Sequence, residues 1–200
     1  MISIYNLKPK FQKLLNPLLN HLNKLNITPN QITIFTILFS ILLGFFVFKS
    51  IEEKSYSLIV AFGMLIRMML NALDGMMAKK FSLVSKNGEI LNEIGDIISD
   101  ITIYFPFIYF PNVQIELVFI FILSSVINEF CGVLSKITKG ERRYDGPMGK
   151  SDRALLVGII SIMFYFSNFI LDYLNYIFAI SILLMILSSI FRLIKSSKNE

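Results

Sequence analysis

Met69 to Asp100 reads MLNALDGMMAKKFSLVSKNGEILNEIGDIISD, and apolar segments flank it on both sides. Carboxylates next to hydrocarbon are costly and mark function by default. As two helix ends and a connecting loop, the stretch puts Asn71 and Asp74 about one turn apart on the first helix. Asn92, Asp96 and Asp100 sit about one turn apart on the second. At 100° per residue, Glu89, Asn92, Glu93, Asp96 and Asp100 share an arc of about 100° on that second helix. One polar stripe can therefore face another across a helix pair. Hard oxygen donors in such a cluster suit Mg²⁺ or Mn²⁺, and those ions suit phosphate chemistry.

The surrounding composition fits a membrane. Of the 200 residues, 54% are hydrophobic, which is too apolar for an ordinary soluble domain. Several windows approach the roughly 20 apolar residues that cross a bilayer. One all-α integral membrane domain is the economical expectation. Lys and Arg number 19 against 14 Asp and Glu, a net charge of +5. In such a chain the excess speaks of loop orientation and anionic lipid, with no nucleic acid as partner. The single Cys131 excludes an internal disulfide and reads as a small buried hydrophobe. His21 stands alone on a polar-edged helix, a surface or interfacial place. No cleavable signal peptide is expected, because the first apolar run comes late and no small-residue cleavage site follows it.

Residues 1–26 are amphipathic, with Leu7, Phe11, Leu14, Leu18, Leu22 and Leu25 recurring at three or four residues. The pattern predicts a helix lying in the membrane interface. Asn16-Pro17 is expected to break it into two pieces. Thr28-Pro29-Asn30-Gln31 reads as a helix start, with a capping threonine, proline at the first position and a glutamine that completes a capping box. A domain over 27–200 then follows, with six predicted transmembrane helices near 29–48, 56–79, 88–110, 113–136, 154–169 and 173–194. Tyr104, Pro106, Tyr109, Pro111 and the neighbouring Phe residues read as an aromatic boundary at the far end of the third span. The cationic residues concentrate in the N-terminal segment, the 79–86 turn, the 136–153 loop and the tail. The positive-inside rule puts these, and the acidic stripe, on the cytoplasmic face of a cell inner or plasma membrane.

A second constellation runs from Arg142 to Arg153 as RRYDGPMGKSDR. A solvated positive loop would account for it without function. The sharper expectation is an anion site, with Gly146-Pro147 and Gly149 forming a tight turn. Ser151 or Asp152 would start the fifth span, whose N-terminus attracts phosphate, and Arg143, Lys150 and Arg153 would add charge. Arg67, one turn before Asn71, would meet either a pyrophosphate or a structural partner such as Glu129. Asn128 and Glu129 would support the site or join helices.

Asp74-Gly75, Ala78-Lys79, Gly88, Asn92 and Asp96 resemble, in gapless spacing, the signature of the CDP-alcohol phosphatidyltransferases, D-x-x-D-G-x-x-A-R followed by G-x-x-x-D-x-x-x-D. Three positions depart from it: Asn71 and Asn92 stand at the first and third acidic places, and Lys79 replaces the arginine. The resemblance implies an integral membrane transferase moving a phosphatidyl group from a CDP-linked lipid, CDP-diacylglycerol first among candidates, to an alcohol, with release of CMP. It implies Mg²⁺ or Mn²⁺, one or two ions, held by Asn71, Asp74, Asn92 and Asp96, with Asp96 also the base. Gly75, Ala78, Lys79, Gly88 and Arg67 would meet the donor. Gly149-Lys150 is similar to a glycine-lysine element beside the family's acceptor pocket, so Lys150, Arg153 and Arg143 would face a small and, given the charge, anionic acceptor. A soluble CDP-alcohol with diacylglycerol as acceptor also fits the signature, and a homodimer is compatible with it. An amide oxygen can ligate Mg²⁺ but brings no charge. Three accounts of the two asparagines stand open: Glu93 or Glu89 supplies the missing charge, one ion suffices, or the chain is a catalytically impaired member. A small transporter or assembly protein is the alternative from another class, although neither the internal repeat nor the broken helices of transporters are visible.

Overall fold

The computed structural model describes residues 8–197, and among them the chain is helical with no strand. The helices are α1 (Lys8–Lys24), α2 (Pro29–Lys49), α3 (Ser55–Lys80), α4 (Lys86–Tyr104), α5 (Ile115–Lys139), α6 (Lys150–Phe166) and α7 (Leu174–Ser197). Two 3₁₀ segments, Phe105–Tyr109 and Asn168–Tyr173, follow α4 and precede α7. Four helices are long and apolar enough to cross a membrane: α2, α3, α5, and α7 with its 3₁₀ lead-in. The other two of the expected spans are shorter. Helix α4 has 19 residues and carries Glu89, Glu93, Asp96 and Asp100, and α6 has 17 residues.

Local signals explain several boundaries. Thr28 caps α2 through a reciprocal box, its Oγ1 accepting from the Gln31 N–H at 3.3 Å and its own N–H donating to Gln31 Oε1 at 2.8 Å. The third predicted span is not one helix to residue 110. It turns 3₁₀ after Tyr104, because Pro106 has no N–H for the Thr102 carbonyl and its ring crowds that turn. The Thr102 carbonyl faces α2 at Gly44, where an added Cβ would lie only 2.2 Å from the oxygen. A glycine there lets α2 and α4 cross backbone to backbone.

The expected break at Asn16-Pro17 is absent, and α1 runs through Pro17. Packing holds it as one helix: Leu15 and Leu19 are buried against Leu73 and Met77 of α3. The other stripe, with Leu14, Leu18 and Leu25, stays exposed. Leu7 and the rest of residues 1–7 lie outside the described residues.

Helix α2 packs on both α3 and α4, α3 on α6, and α5 on α7. Cross-contacts set the ends in register. At one end the start of α2 meets the end of α3 (Thr33 to Asp74), α4 meets α3 (Asn92 to Asp74), and the start of α6 meets α4 (Lys150 to Asp96). At the other end Asn175 accepts from the Gln114 N–H and donates to the Asn112 carbonyl. That end is filled by aromatic rings: Tyr104, Phe107, Phe110, Phe121, Phe164 and Phe178 form successive edge-to-face, tilted and stacked pairs. The aromatic boundary expected there is therefore only partly a boundary. Tyr104 and Phe107 are buried in the core, while Phe105 and Tyr109 are exposed. Long rows of exposed apolar side chains, such as Phe35, Leu38 and Phe45 on α2 and Phe119, Leu123 and Phe130 on α5, cover the outside. A water-soluble monomer does not carry rows of that extent.

Candidate active site

The site lies where helix ends converge. Asp74 is buried two turns before the end of α3. Its Oδ2 accepts from Thr33 Oγ1 at 3.1 Å and from Asn92 Nδ2 at 2.9 Å, and its Oδ1 accepts from the Gly75 N–H at 2.6 Å. Ser85 caps α4 by accepting the Gly88 N–H at 3.1 Å. An added Cβ at Gly88 would lie 2.7 Å from Asn30 Oδ1, so Gly88 lets the starts of α2 and α4 touch.

Between α3 and α4 opens a cavity of about 690 Å³. Asn71, Asp74, Gly75, Ala78 and Lys79 line one wall, and Gly88, Glu89, Asn92 and Glu93 the other. Gln12 and Leu19 of α1 close one side, and Lys136, Arg142 and Tyr144 another. A Cβ on Gly75 would meet nothing within 4 Å, so this face is open to a ligand. Asp96, one turn beyond Asn92, is buried and pairs through Oδ1 with the Lys150 ammonium. Lys150 and Asp96 both act on the Asp74 carboxylate through space. Among the described residues no three His, Cys, Asp or Glu side chains come together as a ready metal cluster.

The remaining expected site residues are placed elsewhere. Arg67 is fully buried with its Nη2 on Asp100 Oδ1 at 2.6 Å, and Asp100, not Glu129, is its partner. Arg153 is also fully buried and donates from Nη2 to Asp100 Oδ2 at 2.7 Å and Glu129 Oε1 at 2.8 Å. Arg142 continues the chain, reaching Glu129 Oε2 at 2.5 Å and Glu93 Oε1 at 2.6 Å. Asp100 thus belongs to a buried ionic chain, Arg67–Asp100–Arg153–Glu129–Arg142–Glu93. Glu93 lines the cavity with its carboxylate already held, and Glu89 pairs with Lys136 at 2.6 Å. Arg143 turns the other way, to Asp145 at 2.9 Å. Asn128 joins α5 to α7, donating to the Met185 carbonyl at 3.1 Å and to Ser189 at 3.3 Å.

The loop before α6 is built to place Lys150. Gly149, rather than Ser151 or Asp152, precedes the helix, and its N–H donates to Asp152 Oδ2 at 3.0 Å. Gly146 adopts φ +93° against α7, where an added Cβ would come within 2.8 Å of three Ser188 atoms. Ser188 and Arg192 both donate to the Asp145 carbonyl, and Arg153 to that of Met148. Partial burial works to raise the Asp145 carboxyl, but the hydrogen bond from Lys195 and the Arg143 charge outweigh it and hold the group below its ordinary value.

Arg142, Lys136 and Thr33 were not singled out from the sequence. Arg142 and Arg143 are adjacent and alike in composition, and only the fold shows that 142 points inward, stacking over Tyr144 at 5.1 Å. Thr33 sits one turn into α2 from the capping box, a position that the family spacing does not mark.

A profile of the family described as CDP-alcohol phosphatidyltransferase matches residues 26–193. The chain is 40% identical over 158 residues to the inner membrane protein YnbA of Escherichia coli (strain K12), covering 79% of this chain and 78% of that one. It shares its fold with the Mycobacterium tuberculosis phosphatidylinositol phosphate synthase (PgsA1). With CDP-DAG bound, that structure gives a TM-score of 0.73 at 17% identity, over 92% of this chain and 94% of that one. In complex with manganese and citrate it gives 0.71 at 18% identity, over 90% and 87%. The family match over most of the chain, the apolar helices and the placement of Asp74-Gly75 opposite Asn92 and Asp96 lead to one conclusion: the chain is an integral membrane protein and belongs to the CDP-alcohol phosphatidyltransferase family, transferases of phospholipid biosynthesis.

Proposed function

We propose that the protein transfers a phosphatidyl group from CDP-diacylglycerol to a small alcohol and releases CMP. The observation that carries this reading is Asp74 and Gly75 facing Asn92 across the 690 Å³ cavity, with Asp96 one turn beyond. The solved neighbour of the same fold with CDP-DAG bound supports the donor class. In the transfer, the acceptor hydroxyl oxygen forms a bond to the phosphorus that carries diacylglycerol. The bond from that phosphorus to the oxygen bridging to CMP breaks, CMP leaves with the electron pair, and the hydroxyl proton passes to Asp96. Lys150 holds Oδ1 of Asp96, which aims the carboxylate and leaves its other oxygen for that proton.

The donor set fits a divalent cation. Asp74, Asn71 and Asn92 are hard oxygen donors that all line the cavity. Asn92 turns its amide nitrogen to Asp74, and half a turn of that amide presents its oxygen instead. When bound, the ion would neutralise charge on the pyrophosphate and the departing CMP. Gly75 supplies the open face along which the nucleotide can approach α3, and Lys79 a point charge at the rim. Of the basic residues expected around the acceptor, Lys150 reaches Asp96, Arg153 is buried behind it on Asp100, and Arg143 turns away to Asp145; Arg67, expected at the donor, is also buried on Asp100.

Six crossings are part of the same reading. The starts of α2 and α4 meet the end of α3, the start of α6 meets α4, and the exposed apolar rows of the bundle suit lipid. That alternation takes α4 and α6 through the layer that the four long apolar helices span. The α1 stripe of Leu14, Leu18 and Leu25 would then rest in the interface, and the positive-inside rule would assign the cationic loops and the site to the cytoplasmic side. Purified protein incubated with labelled CDP-diacylglycerol, Mg²⁺ or Mn²⁺ and a panel of polyols, polyol phosphates and amino alcohols should release CMP. No release with any acceptor and either metal would refute the transferase reading and leave Asn71 and Asn92 as marks of an impaired family member.

A further inference from the structure

Four carboxylates stand on or just behind the cavity wall: Asp74, Glu89, Glu93 and Asp96. Three already have a cation of the protein's own. Glu89 holds Lys136 at 2.6 Å, Glu93 holds Arg142 at 2.6 Å, and Asp96 holds Lys150. The hydrogen bonds that Asp74 receives among the described residues come from neutral donors, Thr33, the Gly75 N–H and the Asn92 amide. We propose that the site takes one divalent ion, at Asp74 with the Asn71 and Asn92 amide oxygens, and that the Lys150 ammonium serves as the second cation facing the donor phosphates. This rests on the transferase reading above and deepens it.

Charge decides between one ion and two. Asp74 with one dication and a pyrophosphate of two negative charges leaves one negative charge, which Lys79 at the rim offsets. A second dication would leave the same group strongly positive unless it displaced Lys150 from Asp96, because the two amides bring no charge. Lys150 is also placed rather than loose. It opens α6 behind the Gly149–Asp152 hydrogen bond, and the preceding loop is pinned at Asp145 and Met148 by Ser188, Arg192 and Arg153. The first turn of a helix adds its own attraction for phosphate. A fixed ammonium on Asp96 therefore occupies the carboxylate that a second ion would need.

The test counts Mn²⁺ on the full chain in detergent, by the loss of the free-ion electron paramagnetic resonance signal, beside thermal unfolding as a control for fold. The wild type should bind one Mn²⁺ per chain, and Asp74→Asn should bind none. Lys150→Met frees Asp96, and with Asn92→Asp added should raise the count to two, whereas Lys150→Arg with Asn92→Asp should stay at one. Two equivalent ions on the wild type would overturn the proposal and leave the transferase reading intact. One ion on both double variants would remove Lys150 from the role. No Mn²⁺ on the wild type, together with no CMP release, would overturn both readings.

Discussion

Asp96 and Asp100 lie one turn apart on α4, both buried, and their partners differ. Asp96 meets a lysine from the loop end of α6, one turn beyond the cavity-lining Asn92. Asp100 meets two arginines that are themselves fully buried, Arg67 and Arg153, and through Arg153 it is tied to Glu129. The first has a single lysine partner that is itself partly exposed. The second is locked by fork-shaped guanidinium groups from α3 and α6. A carboxylate at membrane depth is thus a pointer to function only until its partner is known. Burial and side-chain type are the same in the two cases; the partners separate them, one lysine against two arginines.

The sharpest way to break the comparison is at Arg153. Arg153→Ala leaves Asp100 and Glu129 short of a partner in the interior, and should cost about 3–5 kcal/mol of stability. Unfolding in detergent would show it as a large drop in midpoint or as loss of folded protein. A stable Arg153→Ala protein with only a raised acceptor KM would move Arg153 into the acceptor pocket. Asp96→Asn should do the reverse, keeping the unfolding midpoint close to wild type while lowering kcat for CMP release by about 10²–10⁴-fold. Loss of fold would erase the distinction between the two aspartates.

A smaller effect should sharpen the boundary between the two groups. Glu93→Gln keeps Arg142 paired to Glu129, so about 1 kcal/mol of stability and less than tenfold in activity should be lost. Activity abolished outright would return Glu93 to the metal as the replacement for the charge missing at Asn92. The smallest effect belongs at Asp145. Its carboxyl is held below the ordinary value in the folded protein, so its stabilisation is present above the usual carboxylate range and is lost as pH falls through the lowered value. Asp145→Asn should remove that acid-side loss from the pH profile of the unfolding midpoint, a change below about 1 kcal/mol for a solvent-facing pair.

What the sequence made legible was local or fixed by spacing. The Thr28–Gln31 box needs only three residues' separation. The Asp74-Gly75 and Gly88–Asn92 spacing marks residues that line one cavity, although it takes α2, packed on both α3 and α4, to bring them together. Pro17 was misleading because intrinsic helix breaking lost to the burial of Leu15 and Leu19 on α3. The partners of Arg67, Glu93 and Glu129 were not legible, since they join residues 33, 49 and 24 apart in the chain. Charge patterning alone offers each arginine several acids. The start of α6 at Lys150 rather than at Ser151 or Asp152 was missed for a subtler reason: Asp152 does cap, but from inside the first turn onto the Gly149 N–H.

The buried ionic chain also bears on how the protein is made. An arginine or aspartate at the centre of a membrane helix costs about 2.5–3.5 kcal/mol to insert. Arg67 lies midway along α3, and its partner Asp100 is on the next helix to leave the ribosome. Glu129 on α5 finds Arg153 on the helix after it. Arg67 and Glu129 are each followed by an opposite charge one helix later, so on the six-crossing reading α3 with α4 and α5 with α6 would enter the membrane as charge-paired couples. The Arg153–Asp100 link is the stitch between the two couples, and it closes only once α6 has been synthesised.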